Sequence, residues 1–178
     1  MNYYIADTHF GHTNILHHDS RPFRDTEEMW IVMKNNWNSK VKDTDDVWII
    51  GDFCFRSGKS PEFYLKQLNG MKHLIIGNHD TELLKDHKAK TYFESIDYYK
   101  KIHDHGKTII LCHYPMAEWD GFFRGSYHVY GHIHNSKNDA YNIMKNYVHA
   151  LNAGCMINNY TPVTLDELIE NNKIYREG

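Results

Sequence analysis

His73-Leu74-Ile75-Ile76-Gly77-Asn78-His79-Asp80 is the stretch on which the reading of this chain turns. Residues 73–76 have the length and the aliphatic, β-branched makeup of a buried strand. They run without a break into glycine, amide, imidazole and carboxylate. Shuffling this composition yields Gly-Asn-His-Asp in fewer than roughly one case in a hundred, so the tetrad carries weight. The same grammar recurs on both sides of it. Residues 3–6 end in Asp7-Thr8-His9, residues 47–50 in Gly51-Asp52, residues 108–112 in His113, and Tyr127–Tyr130 in Gly131-His132-Ile133-His134. Five strands are thus predicted to deliver Asp, Asn and His at their carboxyl ends, where open α/β sheets place their sites. The intervals Asp7 to Asp52, Asp52 to Asn78 and His79 to His113 all exceed the dozen or so residues that a crossover between parallel strands needs. The shorter interval from His113 to His132 permits a hairpin-like return.

Between these runs lie helical patterns. Met29, Trp30, Met33 and Trp37 form one apolar stripe on a helix over 25–41, with Glu27, Glu28, Lys34 and Asn35 turned outward. Both tryptophans read as core. Ser60-Pro61 is an N-cap with proline in the first helical position, and Thr164-Leu165-Asp166-Glu167 is a capping box that opens a last helix. No linker, low-complexity tract or repeat interrupts residues 1–178, so one domain is expected.

Composition narrows the function. With 41% hydrophobic and 24% charged residues the chain is neither disordered nor fibrous. Twenty Lys+Arg against 23 Asp+Glu give a formal charge of −3, which offers no basic field for nucleic acid or a membrane surface. Cys54, Cys112 and Cys155 are odd in number and lack CxxC spacing, so they read as reduced thiols. There is no apolar run of membrane-spanning length, and a candidate ligand as early as Asp7 argues against a cleaved leader. A cytoplasmic location is expected. The unusual number is 14 histidines. The strand ends absorb five of them; His17-His18 and His103-Asp104-His105 read as surface. Asp oxygens and neutral imidazoles suit Mn²⁺, Fe, Zn²⁺ or Ni²⁺, and a carboxylate can bridge two ions. Two ions ~3.5–4 Å apart suit in-line displacement at phosphorus.

The ordered series DxH, GD, GNHD, H, GHxH across residues 7–134 resembles the calcineurin-like metallophosphoesterase superfamily. Asp7-Thr8-His9-Phe10-Gly11-His12-Thr13-Asn14-Ile15, with Arg21-Pro22-Phe23, is similar to its small phage and bacterial members. The resemblance implies an α/β fold, a two-layer mixed β-sheet core flanked by helices in a four-layer sandwich. It implies two divalent ions as cofactors, Mn²⁺ foremost, with Fe, Zn²⁺, Ni²⁺ or Mg²⁺ as alternatives. Asp7, His9 and His134 would hold the first ion, Asp52 would bridge, and Asn78, His113 and His132 would hold the second. Asn78 would also touch the phosphoryl oxygen. His79 would protonate the leaving group with Asp80 orienting its ring, while a hydroxide bridging the ions attacks phosphorus.

Many relatives carry a second Asp three residues after the bridging one, followed by Arg; here Phe55 stands in its place and Arg56 is kept. His12, Arg56 and Arg124 are candidate substrate-binding residues. The loop 114–127, with Trp119, Phe122 and Phe123, is either a stacking wall or packing over the sheet. The expected partner is a phosphomonoester or phosphodiester, small molecule or nucleotide, with no membrane and no strong nucleic-acid signal. A nuclease acting on DNA or RNA ends and a non-catalytic scaffold are the alternatives, and His79 favours turnover over the scaffold. Without a cap domain, an open site is expected.

Overall fold

A computed structural model describes residues 1–177. Strands β1 (Asn2–Ile5), β2 (Asp46–Ile49), β3 (Met71–Ile75) and β4 (Phe93–Asp97) pair in that order as an all-parallel sheet. A second sheet is mixed. In it β5 (Tyr99–Asp104) runs antiparallel to β6 (Lys107–Cys112), which is followed by the parallel β7 (Tyr127–Tyr130) and β8 (Ala150–Asn152). His105 and Gly106, both with positive φ, make the tight turn between β5 and β6.

Helices α1 (Thr13–His18), α2 (Thr26–Lys40), α3 (Pro61–Leu65), α4 (Thr81–Lys85) and α5 (His87–Lys90) accompany the first sheet. Helices α6 (Asp139–Met144) and α7 (Leu165–Glu177) flank the second. The capping signals form as the sequence reads. Asp25 accepts from the Glu28 amide (2.8 Å), Ser60 accepts from the Phe63 amide (3.3 Å), and the Thr164 amide donates to Glu167 Oε2 (2.8 Å).

Side-chain alternation along the strands builds the layers. Tyr3, Ile5, Val47, Ile49 and Leu74 meet the α2 stripe of Met29, Trp30, Met33 and Trp37 in one core. Tyr4, Ala6, Trp48, Ile50 and Ile75 face Ile109, Leu111, Val129 and Leu151 of the second sheet in another. A third core, with Ile110, Tyr130, Trp119, Tyr141 and Met144, covers the outer face of that sheet. Strands buried on both faces read as continuous apolar runs, which is why β1, β2, β3, β6 and β7 were visible in sequence. The order of layers is helix, sheet, sheet, helix. No helix among the described residues is long and apolar enough to cross a membrane.

Two sequence expectations change. The connection from His113 to His132 is no hairpin, because β6 and β7 pair in parallel, Ile109 opposite Tyr127. The loop crosses over the outer sheet face through a 3₁₀ turn (Phe122–Arg124) and is nailed there by buried Trp119, whose Nε1 donates to the Ser126 carbonyl at 3.1 Å. Trp119 therefore packs, whereas Phe123 is 85% exposed. The polar strands β4 and β5 and the three-residue β8 were not among the five foreseen.

His128 secures the same loop. Its buried ring bonds the Ile110 carbonyl through Nδ1 (3.1 Å) and accepts the Met116 amide at Nε2 (3.1 Å). Burial pushes its pKa down to about 4, against the upward pull of the Ile110 and Tyr114 backbone. The unfolded chain binds that proton more tightly, so this group removes stability as pH falls from about 6.5 to 4, by ~3 kcal/mol. Urea unfolding at pH 7 and 4.5 is expected to show a flatter acid limb for His128→Gln than for wild type. Parallel limbs would refute it.

Candidate metal centre

The carboxyl ends of β1, β2, β3, β6 and β7 converge, and the backbone there is bent hard. Asp7, His9, Asp52, His132 and His134 all have φ between 48° and 71°. Left-handed backbone at non-glycine residues costs about 1–3 kcal/mol each and is kept only where its surroundings enforce it. The enforcement is visible. The His9 amide donates to the Asp52 carbonyl (3.0 Å), the Phe10 amide to the Phe53 carbonyl (2.9 Å), and Thr8 Oγ1 to the Phe53 carbonyl (2.6 Å). Phe10 and Phe53, each following a candidate ligand, are fully buried and pack edge to face at 5.2 Å. Gly131 lets β7 pass close to the first strand end: a Cβ there would stand 2.7 Å from Ala6 Cβ and 2.9 Å from Asp7 Oδ2.

Two donor groups share Asp52. Asp7, His9, Asp52 and His134 bring their ligand atoms within 4.8 Å of one another. His9 Nε2 faces His134 Nε2 at 3.2 Å and Asp52 Oδ2 at 3.5 Å. On the other side Asn78 Oδ1 lies 3.1 Å from His113 Nε2 and 3.0 Å from His132 Nδ1, and His113 Nε2 is 3.5 Å from the same Asp52 Oδ2. Donors sharing an ion at ~2.1 Å sit about 3.0 Å apart at right angles and about 3.4 Å apart in a tetrahedron. These separations fit that requirement, and the oxygen and imidazole set suits a divalent cation. His9 Nδ1, buried, has no hydrogen-bond partner among the described residues.

Behind the donors lies a layer that sets their orientation. His113 Nδ1 bonds the Ile50 carbonyl (2.8 Å), which turns Nε2 toward Asp52. The His79 amide holds Asp52 Oδ1 at 2.8 Å. His134 Nδ1 bonds buried Asp19 (2.8 Å), which also accepts from His18 Nδ1 (3.0 Å) and from Arg21 Nη2 (3.0 Å). Arg21, itself buried, donates to the carbonyls of Asp7 and Thr8, both at 2.8 Å. Asp19 was missed in sequence because a single Asp in a helix–loop junction carries no spacing signal. Arg21 stood in view only within Arg21-Pro22-Phe23. His18, read as surface, is exposed yet lines the cleft.

Asp80 departs from its expected role. Its carboxylate does not orient His79; it accepts the amides of Asp52 (2.9 Å), Phe53 (2.9 Å) and Gly77 (2.8 Å). Buried completely, it ties the end of β3 to the loop that carries Asp52.

The electrostatics fit a cation. Burial pushes Asp7 up to about 6, although His134 and His113 pull it down. Burial, then His134 and Arg21, push His9 down to about 2. Burial opposes the charged form of Asp19 as well, but the bonds from His134 and His18 hold it well below the carboxylate range. For His134 burial acts downward and the Asp19 bond outweighs it, so its pKa is raised. A divalent ion beside Asp7 and His9 removes the penalty that each now carries.

The structure brings Asp7, His9, Asp52, Asn78, His79, His113, His132 and His134 around one open cleft of about 280 Å³. His79 lies beside His9, ring centroids 5.4 Å apart. His12 is adjacent, 5.9 Å from His9 by ring centroids. Arg56 is exposed and sits over the Phe55 ring at 5.1 Å. Arg124 is a correction. It pairs with Asp120 (3.2 Å) and lines a separate cavity with Lys107 and Thr108, at the opposite end of β6 from His113. The crossover loop, held down by Trp119, carries it there.

No family model matches the chain. It is 34% identical over 179 residues to an uncharacterized protein of Methanocaldococcus jannaschii, covering 98% of this chain and 94% of that one. A protein of unknown function from Aquifex aeolicus has a similar structure, with TM-score 0.75, 29% identity, and coverage of 96% of this chain and 98% of the other. A looser likeness, TM-score 0.49 at 20% identity, covers 75% of this chain and 60% of the nuclease MPE of Pseudomonas putida. The chain belongs to one family with the uncharacterized Methanocaldococcus jannaschii protein, and its five motif blocks stand in order at the strand ends of a double-sheet sandwich.

Between about pH 4 and 6 the metal-free fold holds the Asp7 proton more tightly than the unfolded chain, so this group lowers stability as pH rises through that window. Added Mn²⁺ is accordingly expected to raise Tm at pH 7.5, by an increment that shrinks toward pH 5.5 as protons compete. A Tm indifferent to divalent metals at both pH values would contradict the assignment. Asp19→Asn, which removes charge behind His134, is expected to weaken metal affinity about 10–100-fold in calorimetry while the fold persists.

Proposed function

We propose that this chain is a metal-dependent phosphoesterase with a dinuclear centre, hydrolysing a phosphomonoester or phosphodiester of a small molecule or nucleotide. One observation carries the reading: Asp52 Oδ2 stands at 3.5 Å from both His9 and His113, with further donors on each side and a non-ligand histidine alongside. Asp7, His9 and His134 would hold one ion, Asn78, His113 and His132 the other, and Asp52 both. Bound there, two divalent ions supply Lewis-acid charge for the phosphoryl oxygens and acidify water.

The chain's own residues do the rest. Asp80 locks the Gly77–Asp80 turn against the Asp52 loop, so Asn78 and His79 are presented together. Asn78, exposed at the cleft, would touch a phosphoryl oxygen as well as a metal. His79 gives its ring proton to the leaving oxygen as the P–O bond breaks. The buried floor of Asp7, His9 and His113 keeps bulk water from the inner donors. A site open to solvent and a formal charge of −3 favour a small or terminal phosphoester over a long polyanion. Three free cysteines accord with a cytoplasmic setting.

The test is hydrolysis of p-nitrophenyl phosphate, its bis-ester and 2′,3′-cyclic nucleotides under Mn²⁺, Zn²⁺, Fe²⁺, Ni²⁺ and Mg²⁺. At least one pair is expected to turn over. His79→Ala is expected to lower kcat on a nucleoside ester about 10²–10⁴-fold with metal binding intact. A wild-type protein inert across the whole panel would leave the scaffold reading in possession. Preferential cleavage of DNA or RNA ends would make it a nuclease.

A further inference from the structure

The carboxylate that follows His79 in sequence is spent on three backbone amides. Among the described residues no protein hydrogen bond reaches the His79 imidazole. What meets it is aromatic. The Phe55 ring lies 4.2 Å away, centroid to centroid and tilted by 48°, and His9 stands edge-on at 5.4 Å. Phe55 is braced in turn by His12, T-shaped at 5.1 Å, and by the Arg56 guanidinium over its ring at 5.1 Å. Arg56 itself sits in the left-handed region, φ 45°. The residue standing where many relatives carry Asp is therefore the one in closest ring contact with His79.

We propose that Phe55 is the positioning residue of His79, acting through this aromatic contact, with Arg56 and His12 as its braces. The proposal rests on the phosphoesterase reading for its kinetic consequence but not for its geometry. In hydrolysis, water's oxygen forms the new P–O bond and its proton passes to solvent, the bond to the leaving oxygen breaks with its electron pair staying on that oxygen, and the His79 ring proton goes there. Proton donation matters most when the leaving alcohol is poor. A misplaced His79 should thus slow alkyl and nucleoside esters and spare p-nitrophenyl esters, a selectivity that general loosening of the fold would not produce. An aromatic wall also gives Arg56 a role apart from phosphate: it holds Phe55 down, and its charge stays at the rim.

Two measurements test this. In ¹H–¹³C spectra of the metal-loaded protein, the His79 ring protons are expected to show a ring-current displacement that Phe55→Leu removes and Phe55→Tyr keeps. His79 shifts unmoved by Phe55→Leu would overturn the proposal even if no substrate were ever found. In kinetics, Phe55→Leu is expected to lower kcat about tenfold or more on a methyl or nucleoside phosphoester and less than about threefold on the p-nitrophenyl ester, with KM within about twofold. Phe55→Tyr should restore the loss, and adding Phe55→Leu to His79→Ala should cost little more, the non-additivity of two residues acting as one. Equal losses on all leaving groups, or additive losses, would reduce Phe55 to packing. An inert wild type would sink the phosphoesterase reading itself, and the spectra would still decide the contact.

Discussion

A single carboxylate oxygen, Oδ2 of Asp52, faces imidazole nitrogens from two different sheets, and nearly everything else near the strand ends serves to keep that charge where it is. Asp52 is almost wholly buried, and so are Asp7, His9 and His113. Burying two carboxylates this close is unfavourable unless cations and hydrogen bonds compensate. The protein contributes the hydrogen bonds: the His79 amide to Asp52 and the His132 amide to Asp7, at 3.0 Å and 3.1 Å to its two oxygens. It leaves the remaining oxygen and nitrogen valences pointing at one another at cation-like spacing.

The same constraint explains the backbone. A strand end that continued straight would keep Asp7 and His9 on one face but hold them about 6–7 Å apart along the strand, because residues two apart share a face. Turning through left-handed φ at both residues brings both into one group. The strain is held by the pairing of the β1 and β2 loops through the His9 and Phe10 amides, and by Phe10 and Phe53 anchored in the apolar core beneath. The chemistry above and the packing below thus alternate residue by residue along two short loops. That alternation gives the candidate metal centre its precision without any long rigid insert.

The buried pair Arg21 and Asp19 links this centre to the helical layer. Arg21 fastens the carbonyls of Asp7 and Thr8, and Asp19 fixes the tautomer and direction of His134. An arginine and an aspartate two residues apart are unremarkable in a sequence. Only their burial beside the strand end makes them part of the site. Asp80 makes the complementary point, since its place in a recognised motif suggested a partner that the geometry does not provide.

What the sequence by itself determined is the set of strand ends and their cargo. Doubly buried strands must be continuously apolar, and Asp, Asn or His at each end, with glycine before it at three of the five, is a pattern that composition rarely produces. The α2 stripe and the caps at Asp25, Ser60 and Thr164 were legible for the same reason, as local physics acting within a few residues. What only tertiary structure decided is which groups meet across long separations. These include the parallel return of the loop after His113, the removal of Arg124 to the far end of β6, the carboxylate behind His134, and the phenylalanine against His79. Strands β4 and β5 stayed hidden because half-exposed strands tolerate polar residues, so their identity lies in the neighbours that pair with them. Contacts of that kind depend on packing between layers, and no spacing along a single chain encodes it.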